Sequence, residues 1–303
     1  MNVFLCPGQG SEYVGMGLDL YETYPKAKDL FQQADQALGF SLSKLCFEGP
    51  QEELNQDLNA QLAIYTVSCI LCELLKKNIL PHCASGYSSG FYAAAYTAGC
   101  FEFGEGLDIV KHAGEILLEE GQNIDGSMAV IFGISVEKVR KICGRIGDID
   151  LAIMNTPRQT IISGLWKSVK KAMEICLEQD ALDTYFLPVC TAYHSRFMKE
   201  ATTRFLDALE EKELKDPQIK LFSYSSLEQI KESTGLKQAL AHQLSRPVLW
   251  SDLITKLGNG PGTILYEVGP GAIISRSVRW IDRNIKIVNT SNKERLMNVI
   301  EMQ

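Results

Sequence analysis

The chain has 303 residues, of which 46% are hydrophobic and 22% charged, and its formal net charge is -7. This length suits one large domain or two smaller ones, and the composition is typical of globular proteins. The acidic balance excludes a general nucleic-acid-binding surface, which needs clustered basic residues. The N-terminus lacks the pattern of a signal peptide and no apolar run approaches a membrane span, so we expect a cytoplasmic protein without membrane contact.

Nine cysteines are irregularly spaced along the chain, and Cys69 and Cys72 form its C-x-x-C pair. The pair lies in YTVSCILCELLKK, an apolar stretch that predicts a helix. Because no second pair and no nearby histidine completes a zinc site, we predict no metal and interpret the cysteines as small buried residues. Free cysteines at this density favour a reducing cytosol.

The first part of the chain alternates between strand, glycine-loop and helix patterns. NVFLC predicts a strand, and PGQGSEYVGMG predicts a loop that leads into a helical region. YPKAKDLFQQADQAL and QLAIYTVSCILCELLKK have apolar residues at three-to-four spacing and predict helices. ILPHCASG predicts a short strand, and two further helices follow in GFYAAAYTAG and FGEGLDIVKHAGEILLEEG.

The middle of the chain has a different order of elements. Over residues 126–190 the patterns run βαββαβ, which is the order of a small ferredoxin-like unit. Helices and short strands then alternate again towards the C-terminus. The sequence therefore predicts an α/β fold, with a large subdomain over 1–125 and 196–303 and a small subdomain over 126–195.

The stretch GYSSGF has the G-x-S-x-G outline of a nucleophile elbow around Ser88. A predicted strand precedes it and a predicted helix follows it, as that turn requires. The glycines two before and two after the serine suit a strained turn with crowded backbones. A serine–glycine turn without chemistry fits the motif alone equally well.

A catalytic serine needs a base, and the chain has four histidines. His82 lies in the strand before the elbow, while His112 and His242 lie in predicted helices. His194 lies in PVCTAYHSRF, just beyond a predicted strand, which is a typical place for a functional loop residue. Position alone favours His194 only modestly.

Seven segments together resemble malonyl-CoA:acyl-carrier-protein transacylases and the related acyltransferase domains of polyketide synthases. They are PGQGSEYVGMG, GPQEELNQDLNAQLAIYTVS, GYSSGFYAAAYTAG, MNTPRQTIISG, YHSRFM, LSRPVLW and YEVGPGAII, in the order of that family. The resemblance covers essentially the whole chain. It implies an α/β-hydrolase-like body with an inserted ferredoxin-like subdomain, in agreement with the pattern of elements.

The resemblance also assigns roles to individual residues. The family's serine nucleophile falls on Ser88, and its general base falls on His194. One oxyanion donor falls on the backbone N–H of Ser89, and the glutamine of the family's PGQGSQ falls on Gln9. Asn155 matches the NSP stretch beside the acyl pocket. The family orients its histidine with a backbone carbonyl, so no triad aspartate is implied.

The elbow departs from the family's GHSLGE, with Tyr87, Ser89 and Phe91 replacing its His, Leu and Glu. We expect Tyr87 and Phe91 to shape the acyl pocket. A larger departure concerns the arginine with which malonyl-selective members hold the malonyl carboxylate through paired hydrogen bonds. An ungapped alignment places Ala113 at that substrate-binding position.

The resemblance thus implies a serine acyltransferase of fatty acid or polyketide biosynthesis that moves acyl groups between CoA thioesters and a phosphopantetheinylated acyl carrier protein. It would use CoA thioesters as substrates, bind no cofactor and not be strictly malonyl-selective. An acyl-carrier hydrolase of a trans-acyltransferase polyketide system remains open, as do a serine esterase and a non-catalytic scaffold. Arg196, Lys199 and Arg276 are candidates for docking the acidic carrier.

Overall fold

The computed structural model describes residues 1–301 and contains two β-sheets with helices packed around them. The strands are β1 (Asn2–Cys6), β2 (Cys83–Gly86), β3 (Gly126–Phe132), β4 (Ile149–Thr156), β5 (Gln159–Leu165), β6 (Asp183–Phe186), β7 (Lys220–Phe222), β8 (Gln229–Ile230), β9 (Ile264–Glu267) and β10 (Ile287–Asn289).

The helices are α1 (Leu18–Thr23), α2 (Pro25–Leu38), α3 (Leu42–Glu48), α4 (Gln51–Leu54), α5 (Asp57–Leu75), α6 (Gly90–Thr97), α7 (Phe103–Gln122), α8 (Val136–Ile146), α9 (Trp166–Glu178), α10 (Lys199–Glu210), α11 (Ser233–His242), α12 (Trp250–Gly258), α13 (Ile273–Ile281) and α14 (Lys293–Glu301). A short 3₁₀ helix, Arg196–Met198, precedes α10.

The larger sheet has the strand order β10-β9-β1-β2-β7-β8. Its first five strands are parallel, and β8 closes one edge in the antiparallel sense. In the central pair, Cys6 lies opposite Gly86 at the carboxyl end of both strands. Because β1 and β2 are parallel neighbours, the PGQG loop after β1 and the serine turn after β2 lie at the same edge of the sheet. Loops at this edge commonly form ligand sites.

The smaller sheet has the order β4-β5-β3-β6, and all of its pairs are antiparallel. With α8 and α9 this gives the predicted βαββαβ unit, and its separate core packs beneath one face. The fold class predicted from the sequence is confirmed. One backbone bridge, between Ile153 and Val248, joins β4 to the segment before α12. The subdomain boundaries near 126 and 195 stay a prediction.

Helix α5 forms the centre of the larger subdomain. Among residues 1–301, α5 is the one helix that is long and apolar enough to cross a membrane. Its most apolar 18 residues have a mean hydropathy of 1.5, but 83% of them are buried within the protein. No segment of this length and hydropathy was expected from the sequence. Cys69 and Cys72 are both buried in it, as predicted, and the Cys72 thiol lies 2.8 Å from the Thr97 hydroxyl, whereas Cys190 is exposed, contrary to the prediction for the cysteines.

The YEVGPG segment supports the loop after β1. Glu267 is fully buried, and its carboxylate accepts hydrogen bonds from the N–H groups of Ile274 and Ser275 at the start of α13. This arrangement satisfies backbone donors that a helix N-terminus otherwise leaves free. Gly269 lies so close to Pro7 that a Cβ there would collide with the proline ring. The β9–α13 loop thereby fixes the start of the PGQG loop.

Candidate active site

Ser88 lies on the tight turn between β2 and α6, with a φ of 51° that is rare outside glycine. Its two flanking glycines explain the local sequence. A Cβ on Gly86 would collide with the backbone of Gly90, and a Cβ on Gly90 would collide with the carbonyl oxygens of Cys6 and Pro7. The turn therefore presents Ser88 at the carboxyl edge of the sheet, as a nucleophile elbow requires.

His194 is hydrogen-bonded to Ser88, with 2.8 Å between Nε2 and Oγ. On the other side of the ring, Nδ1 lies 3.1 Å from the carbonyl oxygen of Arg246. A carbonyl only accepts, so Nδ1 carries the proton and Nε2 is left to accept from the serine hydroxyl. This is the tautomer of a general base, oriented by a backbone carbonyl as the resemblance implies.

Burial sets the protonation state of His194. The residue is 7% exposed, and desolvation lowers its pKa from 6.5 to about 4, although nearby backbone carbonyls favour the charged form. Removing water disfavours the charged imidazolium. His194 is therefore neutral at pH 7 and able to accept a proton.

Gln9 and Ser89 line the same cavity as Ser88, and each carries a backbone N–H. Within residues 1–301, neither the Gln9 N–H nor the Ser89 N–H donates a hydrogen bond to another protein group. A Cβ on Gly8 would lie 3.4 Å from Ser89 N, which shows how closely the PGQG loop approaches the turn. Two free donors beside a nucleophile form the arrangement of an oxyanion hole. The Gln9 side chain is directed elsewhere, since its Nε2 donates to Asp57 Oδ1 at 2.5 Å.

A cavity of about 510 Å³ opens beside Ser88. Most of its wall is apolar: Leu117, Met128, Ile153, Ile161, Leu187, Pro188, Val189 and Leu244. Within the described residues its lining holds no lysine or arginine, and its one formally charged side chain is Glu12. Burial raises the pKa of Glu12, against hydrogen bonds from nearby backbone N–H groups. The cavity therefore suits an apolar group and offers no cation to an anionic one.

The structure brings some predicted substrate-binding residues to the cavity and leaves others outside it. Tyr87 lines the cavity and packs edge-on against Trp250, with ring centroids 4.9 Å apart. Phe91 is instead buried in the core, edge-on to Tyr224 at 5.9 Å. Asn155 is outside the lining, and its Nδ2 donates to Gln159 Oε1 at 2.6 Å.

Ala113 is fully buried in α7 and does not itself line the cavity. Leu117, one turn later on the same face, does line it. The lysine and histidine nearest in sequence face away, since Lys111 and His112 have side chains 42% and 47% exposed beside Glu115. From this face of α7, Leu117 contributes an isobutyl group to the cavity lining, and no cationic side chain of α7 lines the cavity.

The three predicted docking cations differ in their surroundings. Arg196 is committed to a salt bridge with Asp150, at 2.5 Å between Nη2 and Oδ1. Within residues 1–301, Lys199 and Arg276 are exposed and form no salt bridge. Their role in docking stays a prediction.

Sequence reasoning missed Glu12, Asp57, Leu117 and Tyr193. A signal was available for Glu12, which stands where the motif PGQGSQ has a neutral glutamine. Leu117 was also within reach, because it follows Ala113 by four residues on one helix. No local pattern distinguishes Asp57 or Tyr193, whose contacts are made between distant segments.

Comparison with known proteins agrees with this geometry. Residues 3–283 match the family model for the acyl transferase domain. A malonyl CoA-acyl carrier protein transacylase of Bacillus subtilis (strain 168) is 35% identical over 303 residues, which cover 98% of this chain and 96% of that protein.

Two solved structures are similar over the whole chain. A malonyl CoA-acyl carrier protein transacylase from Coxiella burnetii has a TM-score of 0.94 and 28% identity, and the match covers 99% of this chain and 96% of that one. A malonyl-transacylase solved in complex with its type II polyketide synthase acyl-carrier protein has a TM-score of 0.94 and 27% identity. That match covers 100% of this chain and 99% of the other. The chain therefore belongs to the acyl transferase domain family.

Proposed function

We propose that this chain is a serine-dependent acyltransferase that moves an acyl group without a free carboxylate from a CoA thioester to the phosphopantetheine thiol of an acyl carrier protein. The observation that carries the proposal is the 2.8 Å contact between Ser88 Oγ and His194 Nε2 beside a mainly apolar cavity. The carrier as acceptor is supported by the relatives, which are named as transacylases of acyl carrier proteins. Two such relatives belong to polyketide biosynthesis, and we propose polyketide or fatty acid biosynthesis as the setting of this chain.

In the first half-reaction, His194 Nε2 removes the Ser88 hydroxyl proton as Oγ attacks the thioester carbonyl carbon. The new C–O bond places the carbonyl electron pair on oxygen, where the N–H groups of Gln9 and Ser89 stabilise it. Collapse of this intermediate breaks the C–S bond. His194 returns its proton to the departing sulfur, which leaves as free CoA, and Ser88 keeps the acyl group as an ester.

In the second half-reaction, the thiol of the carrier's phosphopantetheine enters the place that CoA has left. His194 takes the thiol proton as sulfur attacks the ester carbonyl, and the same two N–H groups hold the oxyanion. The C–O bond to Ser88 then breaks, and the proton passes from His194 to the serine oxygen. The enzyme is restored, and every proton has passed through one imidazole.

The charge of the cavity decides the class of acyl group. A carboxylate buried without a cationic partner costs several kcal/mol, and this cavity offers it neutral amides and the carboxyl group of Glu12. An acyl group that ends in a methyl group contacts Leu117, Met128 and Ile161. Burial of its apolar surface against these side chains stabilises the bound acyl group. We therefore expect acetyl or longer neutral acyl groups to react faster than malonyl.

The proposal is tested by incubation of the protein with acetyl-, hexanoyl- and malonyl-CoA, followed by intact-mass measurement. We expect an acyl adduct with the neutral thioesters that disappears in Ser88→Ala and persists in Ser226→Ala, a variant of an exposed serine. Absence of any adduct would refute the proposal. Addition of a holo carrier protein should then yield acyl-carrier. Free acid in place of acyl-carrier would instead assign hydrolysis of acyl thioesters to this site.

A further inference from the structure

Asp57 connects the two loops that meet at Ser88. Its Oδ1 accepts a hydrogen bond from Gln9 Nε2, and its Oδ2 accepts one from Tyr193 Oη, each at 2.5 Å. Gln9 follows β1, Tyr193 immediately precedes His194, and Asp57 begins α5. We infer that Asp57 is a positioning residue, which fixes the loop carrying the Gln9 N–H relative to the loop carrying His194.

A simpler role for Asp57 would be that of an acidic residue in the first turn of a helix, where it stabilises the helix dipole. That role requires only the charge and no partner. Here both carboxylate oxygens are engaged by side chains 48 and 136 residues away in the chain. The helix terminus explains why a carboxylate is tolerated here without a cation, and the two hydrogen bonds explain its orientation.

Both loops need external support to hold their catalytic groups. Gln9 is flanked by two glycines, and Gly10 has a φ of 94° with nothing within 4 Å of where its Cβ would be. His194 has a φ of 55°, a backbone conformation that persists only where its surroundings enforce it. The carbonyl of Leu244 accepts from the His194 N–H at 3.0 Å on one side. Asp57 holds the loop from the other side, through Tyr193.

The Tyr193 hydroxyl also stays in the protonated form that donates to Asp57. Burial and the Asp57 charge raise the pKa of Tyr193 well above 10, so its hydroxyl stays protonated and donates to the carboxylate. Hydrogen bonds to a charged acceptor are shorter and stronger than those between neutral groups. Loss of this donor should therefore loosen the base loop and leave the ring packing in place.

This inference rests on the proposed function only in taking Ser88 and His194 as the reacting pair. It is tested with a small fluorophosphonate, which forms a bond between Ser88 Oγ and phosphorus and releases fluoride, whatever acyl group the enzyme prefers. The rate of labelling is measured by intact mass for Tyr193→Phe, Asp57→Ala and the double variant. Tyr24→Phe, which also loses a tyrosine hydroxyl that donates a hydrogen bond, serves as the matched control.

We expect Tyr193→Phe to label about tenfold more slowly and Asp57→Ala about tenfold to a hundredfold more slowly, with Tyr24→Phe unchanged. The double variant should match Asp57→Ala, because both changes break the same link. With a reactive thioester, kcat should fall while KM is kept. Wild-type labelling by Tyr193→Phe, or slow labelling that a lowered melting temperature fully explains, would overturn the inference. Slow labelling in a protein that accepts no thioester would refute the proposed function alone.

Discussion

The buried state of His194 makes the pH dependence of acylation the sharpest test of the site. With a pKa of about 4, the imidazole is about 97% neutral at pH 5.5, whereas with the ordinary value of 6.5 it would be about 9% neutral. The acylation rate at pH 5.5 should therefore stay within about 10% of the rate at pH 7, since only the neutral ring accepts the Ser88 proton. The acylation rate with a solvent-exposed histidine would fall about eightfold over the same range.

The same shift has a consequence for stability. A histidine whose pKa falls on folding binds more protons when unfolded, so the free energy of unfolding declines as the pH falls from 6.5 towards 4. Between pH 7 and pH 4.5 the loss attributable to His194 is about 2 kcal/mol. Other groups also titrate in this window, so the quantity to compare is the difference between wild type and His194→Gln.

The rate is best measured with a thioester of N-acetylcysteamine, which has no group that titrates between pH 4 and 7. The reaction is quenched at short times, and intact-mass measurement of the quenched samples gives the rate of acyl-enzyme formation at each pH. Urea unfolding of wild type and His194→Gln at pH 7 and pH 4.5 gives the stability difference. An acid limb centred near pH 6.5, or equal acid sensitivity of the two proteins, would refute the assignment of a buried neutral base.

Ala113→Arg should raise the ratio of malonyl to acetyl acylation, and the double variant with Glu12→Gln should raise it further, as competition between the two CoA esters measures. An unchanged ratio in a folded double variant would contradict the charge argument. Gly90→Ala should lower the free energy of unfolding by about 3 kcal/mol, because its Cβ meets two carbonyl oxygens. Gly104→Ala, with open space around its Cβ, is the control and should be neutral or slightly stabilising; equal effects would refute the steric account.

The fold was largely predictable because its local signals are strong. The predicted strand and helix around Ser88 indicate the nucleophile elbow. The patterns over 126–190 predict the order of strands and helices along the chain in the subdomain that contains the small antiparallel sheet. The extent of α5 as a core helix was less visible. Polar residues such as Gln61 and Ser68 interrupt its sequence, yet both are buried with the rest of the helix.

The sequence pointed to Ser88 and His194, which the structure brings into contact, but it gave less information about the residues that line the cavity. Phe91 follows the serine by three residues, but α6 is apolar on all sides, and no periodicity says which face meets the cavity. The structure directs Phe91 towards Tyr224 in the core. The link from Asp57 to Tyr193 spans 136 residues, so only the folded chain brings its parts together.

The charges near Ser88 act together on the choice of substrate. Acylation by a neutral thioester develops one negative charge, on the oxyanion, whereas malonyl adds a second in the same cavity. When ionised, Glu12 adds a negative charge to the cavity lining and so disfavours each of them. The charge of Asp57 is better compensated, since two donors and the start of α5 face it. We therefore expect the methyl group at Ala113 and the carboxylate of Glu12 to oppose malonyl by independent routes. Introducing a guanidinium with Ala113→Arg should remove only the first of these two effects.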